Sequence, residues 1–433
     1  MGITTLQRCQ PHPRPHHITA HDLRTAQNKL LYAVMIDVFA PTIASRIYLA
    51  PSVAAYQVLA LQDTSLISLT QVISHFPTLP PLPKDIDATL ASLLVYEKVA
   101  TKLVSSEYIM KDLEDSLLAA LQLPPTQQNL ALAYADSATK IIIAWVKKDN
   151  YLPLRSATKY VISDTLGAWQ PTTPDYAQAS EPHWDLMRTM LLDPTAMPTT
   201  PPPTPYSQHP KDDYRKEMQD LYLSTQKLDS TQAATAYYWD DNPSASNHEG
   251  HMTYFLHKIS PAGHWLNIAA TLTTQQHNNY TQTAQTLAYT SIALYDAFIA
   301  CWHAKYTYNT QRPITYINQL IDPRWQPLIQ TPPFPEYPSG HSTISAAAAT
   351  ILTQLYGDDI AFTDSTQTPF AIPPRKFTTI QAAADQASQS RVFAGIHLPK
   401  ATEAGAQLGK NVGQLTIKKL TIKKLTIKKL KQH

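Results

Sequence analysis

Proline outnumbers glycine 35 to 10 in this 433-residue chain, and that imbalance restricts the fold more than any other feature. Proline fixes φ and removes a backbone donor, so it suits helix starts and extended connectors but not central strands. Glycine supplies the positive-φ positions that tight hairpins need. A chain rich in the first and poor in the second favours helices joined by stiff connectors over a hairpin-rich sheet. Apolar residues recur at helical spacing from about 21 to 62, broken at Pro41 and Pro51, and again over roughly 87–122, 126–148, 153–168, 211–238, 262–306, 341–357 and 377–413. Strand-like alternation is nearly absent. The expected class is all-α.

An apolar fraction of 43% is enough for a sizeable core and excludes global disorder. Only 16% of residues are charged and the formal net charge is +2, without the broad basic face of a nucleic-acid binder. Cys9 and Cys301 lie far apart and make neither a disulfide framework nor a zinc spacing. The opening "MGITTLQRCQ" has no apolar segment of the secretory kind, and no run approaches 18 consecutive apolar residues. The expectation is a soluble protein with no transmembrane segment.

Proline also punctuates the chain. Residues 1–20, with "CQPHPRPHHITAH", read as a flexible arm whose irregular histidines are either solvated or a metal site. Between Pro194 and Pro210, "PTAMPTTPPPTPYSQHP" is a polyproline-like linker. It separates an N-terminal helical region, 21–193, from a second helical region, 211–414. The tail 415–433, "LTIKKLTIKKLTIKKLKQH", repeats every five residues, a period that matches neither helix nor strand. It is either a basic tether for a membrane surface or nucleic acid, or a solvated extension.

Three segments carry candidate chemistry. In "KYTYNTQRP", Lys305 and Arg312 are seven residues apart, two helical turns, so both cations can project from one side of a helix, which Pro313 ends unless it starts the next. In "FPEYPSGHSTISAAAA", Ser339 can cap a helix, Gly340 lets the backbone approach a ligand, and the N–H groups of Gly340 and His341 sit at the positive helix end, where an oxyanion is favoured. Alone, this segment equally describes a capped helix that binds nothing. In "SRVFAGIHLP", Arg391 and His397 are six residues apart and share a site only if the helix ends near Gly395.

Taken together, Lys305, Arg312, Pro313, Pro338, Ser339, Gly340, His341, Ser390, Arg391 and His397 resemble, in order and spacing, the vanadium-dependent haloperoxidases and the type-2 phosphatidic-acid phosphatases. The likeness covers about the last 130 residues. Segments such as "YWDDNPSASNHEGHMTYFLHKISPAGHWLNIA" resemble soluble bacterial haloperoxidase-like members and extend it to about residue 238. A weaker likeness at "VFAPTIASRIYLAPSVAAYQVLA" reaches the N-terminal half. The resemblance implies a helical bundle of the haloperoxidase/acid phosphatase type, with an added helical N-terminal half. Residues 211–414 would then be the oxyanion-binding catalytic region, with vanadate as cofactor and phosphate able to take the same site. His397 would bind the oxyanion's central atom, and His341 would be the acid/base. Lys305, Arg312, Ser339, Gly340 and Arg391 would clamp the oxyanion. Trp265, Trp302, Phe334 and His264 are candidate neighbours of the pocket, His264 equally a structural residue. Phe334 stands where the chain is similar to chloroperoxidases and bromoperoxidases carry a histidine.

The implied activity is oxidation of halide by hydrogen peroxide to hypohalous acid. The shared site leaves two alternatives, a soluble acid phosphatase acting on phosphomonoesters through a phosphohistidine, and an inactive anion-binding homologue. Solubility, the large N-terminal half and the aromatic residues favour halide oxidation over both. Related proteins are often exported or periplasmic. One position departs from the family, which carries an aspartate four residues after the ligand histidine. This chain has Ala401, and Glu403 is a substitute at a different offset. Loss of such a partner predicts a metal affinity or activity lower by ~10–100-fold on an intact fold.

Overall fold

The computed structural model describes residues 17–422 and residue 425. The proposed arm therefore lies largely outside the described residues, as do Cys9 and most of the repeat tail. Fourteen α-helices dominate, with two small antiparallel ribbons that the sequence pattern did not signal.

Helix α1 (Ala20–Ile36) starts in a capping box of Thr19 and Asp22. Helix α2 (Pro41–Ala60) begins at Pro41, but Pro51 does not end it. Nearly every α2 residue is buried, and that all-round packing holds a turn from which proline removes a hydrogen bond. Helices α3 (Ala88–Thr101), α4 (Glu107–Leu121) and α5 (Pro125–Val146) follow as expected. The helix expected over 153–168 does not form beyond the short α6 (Tyr151–Arg155). Val161, Ile162 and Leu166 are exposed there, so no apolar face is buried to pay for the ordering.

Helices α7 (Asp213–Thr225) and α8 (Ser230–Tyr238) precede the ribbon of β1 (Ser246–Glu249) and β2 (Met252–Phe255). The apolar stretch 262–306 is two helices, α9 (Pro261–Gln275) and α10 (Tyr280–Tyr308), parted where Asn279 and Gln282 form another capping box. The short α11 (Pro313–Leu320) comes next, then α12 (Gly340–Tyr356). A ribbon of β3 (Phe362–Asp364) and β4 (Arg375–Phe377) leads to α13 (Ile380–Phe393) and α14 (Pro399–Lys419).

Helix α10 is buried on most sides, packing against α2, α9, α12 and α14. One hydrophobic cluster runs from Leu23 in α1 to Ile422 beyond α14 and takes in both sides of segment 194–210. That segment is pinned: Tyr308 donates to the Thr200 carbonyl, Tyr337 to that of Pro201, and Tyr206 packs on Tyr214 and Tyr316. The first LTIKK repeat belongs to α14, and Leu420 and Ile422 are buried, so the beginning of the tail is packed rather than solvated.

Helices α12 and α14 approach through glycines four residues apart. A Cβ on Gly405 would meet the Ser339 carbonyl at 2.5 Å, and one on Gly409 would meet the Thr343 carbonyl at 2.0 Å. This contact sets the start of α12 against the start of α14.

Candidate active site

Ser339 is the N-cap of α12. Its N–H donates to the Ala401 carbonyl at 2.8 Å, and its Oγ accepts from the Ser342 N–H and hydroxyl. A helix start leaves its first N–H groups without intrahelical acceptors, and here those of Gly340 and His341 stay open. With Oγ accepting twice, the Ser339 hydroxyl hydrogen remains free to donate.

Lys305 and Arg312 do not share a helix. Helix α10 ends at Tyr308 with Asn309 in a left-handed conformation, and Arg312 is the N-cap of α11. They converge all the same: Lys305 Nζ lies 5.1 Å and Arg312 Cζ 5.0 Å from the Phe334 ring centroid. Lys305 donates to the carbonyls of Pro335, Glu336 and Pro338. Arg312 donates through Nε to the Phe334 carbonyl and through Nη1 to the Ile396 carbonyl and His397 Nε2, while its buried Nη2 has no partner among the described residues.

Helix α13 does end before Gly395, which has φ +76°, and the turn brings Arg391 and His397 inward together. Arg391 donates to Ser390 Oγ and to the carbonyls of Ala236 and Trp239.

The orienting carboxylate for His397 comes from Glu336. Its Oε1 accepts from His397 Nδ1 at 3.0 Å and from the Leu398 N–H at 2.9 Å. Glu403 is exposed and does not play this part. With Nδ1–H on Glu336 and Arg312 donating to Nε2 at 3.1 Å, the ring is neutral and its Nε2 lone pair faces the cations. Burial, then Arg312 and Lys305, hold its pKa well below the usual histidine range. The one signal that could have marked it is the carboxylate in "FPEYP" immediately ahead of the SGH turn.

His341 Nε2 has no hydrogen bond and lies 4.0 Å from Asp241 Oδ2. Burial and the charges of Arg391 and His264 push its pKa well down, so it is a neutral base. His264 and Trp265, expected at the pocket, stand behind it instead. His264 is fully buried and donates from Nδ1 to Asp241 and from Nε2 to Asp364 Oδ2 at 2.7 Å. Trp265 donates to Ser345 Oγ inside the core. Both lie on the inward face of α9, which the cavity does not reach. The cavity is walled by Pro41, Pro261, Phe298, Trp302, Pro332 and Phe334, with Asp241, Asn242, Gly340 and His341 as its polar side. Pro41 brings the N-terminal half to the site.

The donors suit a tetrahedral oxyanion. Arg312, with one unpartnered guanidinium nitrogen, donates to the neutral His397 ring, the start of α12 offers open N–H groups, and burial lowers the pKa of Lys305, Arg312 and Arg391. An anion would relieve that penalty.

The family described as the VCPO second helical-bundle domain matches residues 285–423. A bacterial vanadium-dependent iodoperoxidase of solved structure is 35% identical, with a TM-score of 0.89, over 94% of this chain and 98% of that one. Apo and holo forms of a bacterial vanadium-dependent chloroperoxidase share the fold at 15% identity and TM-score 0.67, over 89% of this chain and 96% and 93% of theirs. No curated protein matches the sequence. Among the described residues no helix is long and apolar enough to cross a membrane. With 35% identity held across nearly the whole length of the iodoperoxidase, the chain belongs to the vanadium-dependent haloperoxidase family.

Proposed function

We propose that this protein is a vanadate-dependent haloperoxidase that oxidises halide with hydrogen peroxide. The observation that carries the reading is the buried, neutral His397 ring, tied through Nδ1 to Glu336 with its Nε2 lone pair among Arg312 and its neighbours. Vanadate bound there supplies a Lewis-acidic centre that activates peroxide toward two-electron oxidation of halide. His397 would hold it through Nε2. Arg312 Nη2, the Ser339 hydroxyl and the Gly340 and His341 N–H groups would neutralise its oxygens. Lys305 and Arg391, already committed to carbonyl oxygens, add positive field and fix the loops. His341, neutral and with a free Nε2, accepts a proton from an incoming peroxide and returns it to the departing oxygen. The apolar walls limit water around these steps.

The likeness to an iodoperoxidase supports iodide as the halide. Glu336 speaks against an inactive homologue, because it offers the His397 ring the carboxylate that position 401 lacks. The test loads the purified protein with orthovanadate and measures iodide, bromide and chloride oxidation beside hydrolysis of an aryl phosphate. The reading expects vanadate-dependent halide oxidation. Phosphate hydrolysis that vanadate inhibits, with no halide oxidation, selects the phosphatase.

A further inference from the structure

Residues 154–183, which form no regular helix beyond Arg155 apart from one short turn at Trp184, fold back on themselves around a cavity of about 400 Å³. That volume lies within the roughly 300–1,000 Å³ of small-molecule sites. Leu154, Tyr160, Ile162, Trp169 and Tyr176 give it an apolar and mostly aromatic wall. Two links across the cavity hold its sides in place. Arg155 pairs with Glu181 through both terminal guanidinium nitrogens, Nη1 to Oε1 at 2.8 Å, and His183 Nε2 donates to the Thr158 carbonyl at 2.6 Å. The wall is also fixed to the end of α10: Tyr160 donates to Asn309 Oδ1 at 2.9 Å, and the Trp169 main-chain N–H to the Asn309 carbonyl at 2.9 Å. The site is therefore formed before any guest arrives.

Three observations point to a guest and to its chemistry. Trp169 is fully buried, yet its indole N–H has no acceptor among the described residues, a costly state for a buried donor. The indole N–H groups of Trp145 and Trp184 are unpartnered too, but those rings sit inside the hydrophobic core, whereas Trp169 belongs to none of the hydrophobic clusters and borders the cavity. Tyr176 has φ +45°, a costly conformation for an aromatic residue, and stays 66% exposed, so no burial offsets the strain. Strain of this kind collects at ligand-binding segments. Lys159, at the rim, has no ion-pair partner among the described residues. Arg155 and Glu181 cancel, so the lining carries an excess positive charge.

We propose that this cavity binds a planar aromatic carboxylate, its ring between Trp169 and Tyr176, its oxygens supplying the acceptor that Trp169 lacks and the counter-charge that Lys159 lacks. The site is separate from the oxyanion cavity and shares no lining residue with it. Trp302 connects the two, because it walls the oxyanion cavity and its Nε1 donates at 3.2 Å to the carbonyl of Ser180, between the pocket residues Ala179 and Glu181.

The test titrates sodium benzoate into the protein in excess orthovanadate, which keeps the oxyanion cavity filled, and reads the heat of binding. Benzamide, planar but uncharged, and cyclohexanecarboxylate, charged but not planar, should each bind at least about threefold more weakly. Lys159→Gln should raise the benzoate Kd about two- to fivefold and leave that of benzamide unchanged. Tyr176→Ala should raise both by about tenfold. Both positions are exposed, so native melting temperatures are expected. Wild-type crystals soaked in 4-iodobenzoate should show the anomalous iodine peak between Trp169 and Tyr176. No heat with benzoate, a benzoate Kd no better than that of benzamide, a Kd that neither variant alters, or an iodine peak in the oxyanion cavity overturns the proposal. None of these readouts requires turnover, so a failure of halide oxidation and a failure of this site are told apart.

Discussion

Glu336 and His397 are 61 residues apart in sequence and 3.0 Å apart in the fold, carboxylate oxygen to ring nitrogen. The same oxygen accepts the Leu398 N–H, so one side chain fixes both the ring and the backbone that carries it. The position four residues after His397 is Ala401, fully buried, with its carbonyl receiving the Ser339 N–H. The carboxylate that meets the His397 ring therefore comes not from position 401 in α14 but from the loop that also delivers Phe334. The site is thereby tied together at the junction of α12 and α14.

Removing that carboxylate frees the imidazole to rotate and to take the other tautomer. Glu336→Ala is expected to weaken orthovanadate binding ~10–100-fold, measured by titration calorimetry or vanadate-dependent melting. Glu403→Ala, at an exposed position, is expected to leave it unchanged. Equal affinities in wild type and Glu336→Ala would remove Glu336 from this role.

His341 makes no hydrogen bond on which the His397 ring depends, so on the proposed reading binding and turnover are separable at this residue. His341→Ala should retain vanadate yet lose ~10²–10⁴-fold in kcat for halide oxidation, the usual range for a lost acid/base group. Stopped turnover with unchanged vanadate affinity is the expected pair of results; a parallel loss of both contradicts it.

The helical class and the ten motif positions were legible because they depend on local pattern: proline placement, apolar spacing, a cap before a helix. Glu336 was not, because its role follows from loop geometry that brings a residue before α12 to one before α14. The seven-residue spacing suggests that Lys305 and Arg312 share one helix, yet they meet across a helix end, as the left-handed Asn309 allows. His264 and Trp265 carry the residue types of a pocket wall, but the face of α9 on which they sit is decided by Asp241, Asp364 and Ser345 from other elements. The short helix ending at Arg155 shows the same limit, since apolar spacing cannot say whether a surface exists to bury it.

The packing of α12 on α14 gives a test of stability. A methyl group on Gly409 would fall 2.0 Å from the Thr343 carbonyl oxygen, where backbone rather than a flexible side chain must yield. Gly409→Ala is expected to cost about 1–3 kcal/mol by overpacking, lowering the melting temperature by a few degrees. Because the shift passes along α12 to Ser339, vanadate affinity should fall as well. A variant as stable as wild type would show that the two helices separate without penalty.

The pH dependence of stability should carry the signature of His264. Burial alone would lower its pKa, but Asp241 and Asp364, each hydrogen-bonded to it, outweigh burial and raise it to about 10 from 6.5. The folded state therefore holds a proton that the unfolded chain releases near 6.5. The stabilisation is complete below that pH, declines above it and is gone once pH passes about 10. Asp364 moves the other way, to about 2 from 3.8, because His264 and Thr366 outweigh its burial. Its contribution is present above 3.8 and is lost as pH falls through about 2. In His264→Gln the neutral amide cannot balance two buried carboxylates, and breaking such a buried pair costs roughly 3–5 kcal/mol. Urea unfolding of both proteins at a series of pH values isolates the effect. The wild-type advantage should be constant between about 3.8 and 6.5 and shrink steadily toward pH 10. A difference that stays level across that alkaline window would mean that His264 is not held as an imidazolium.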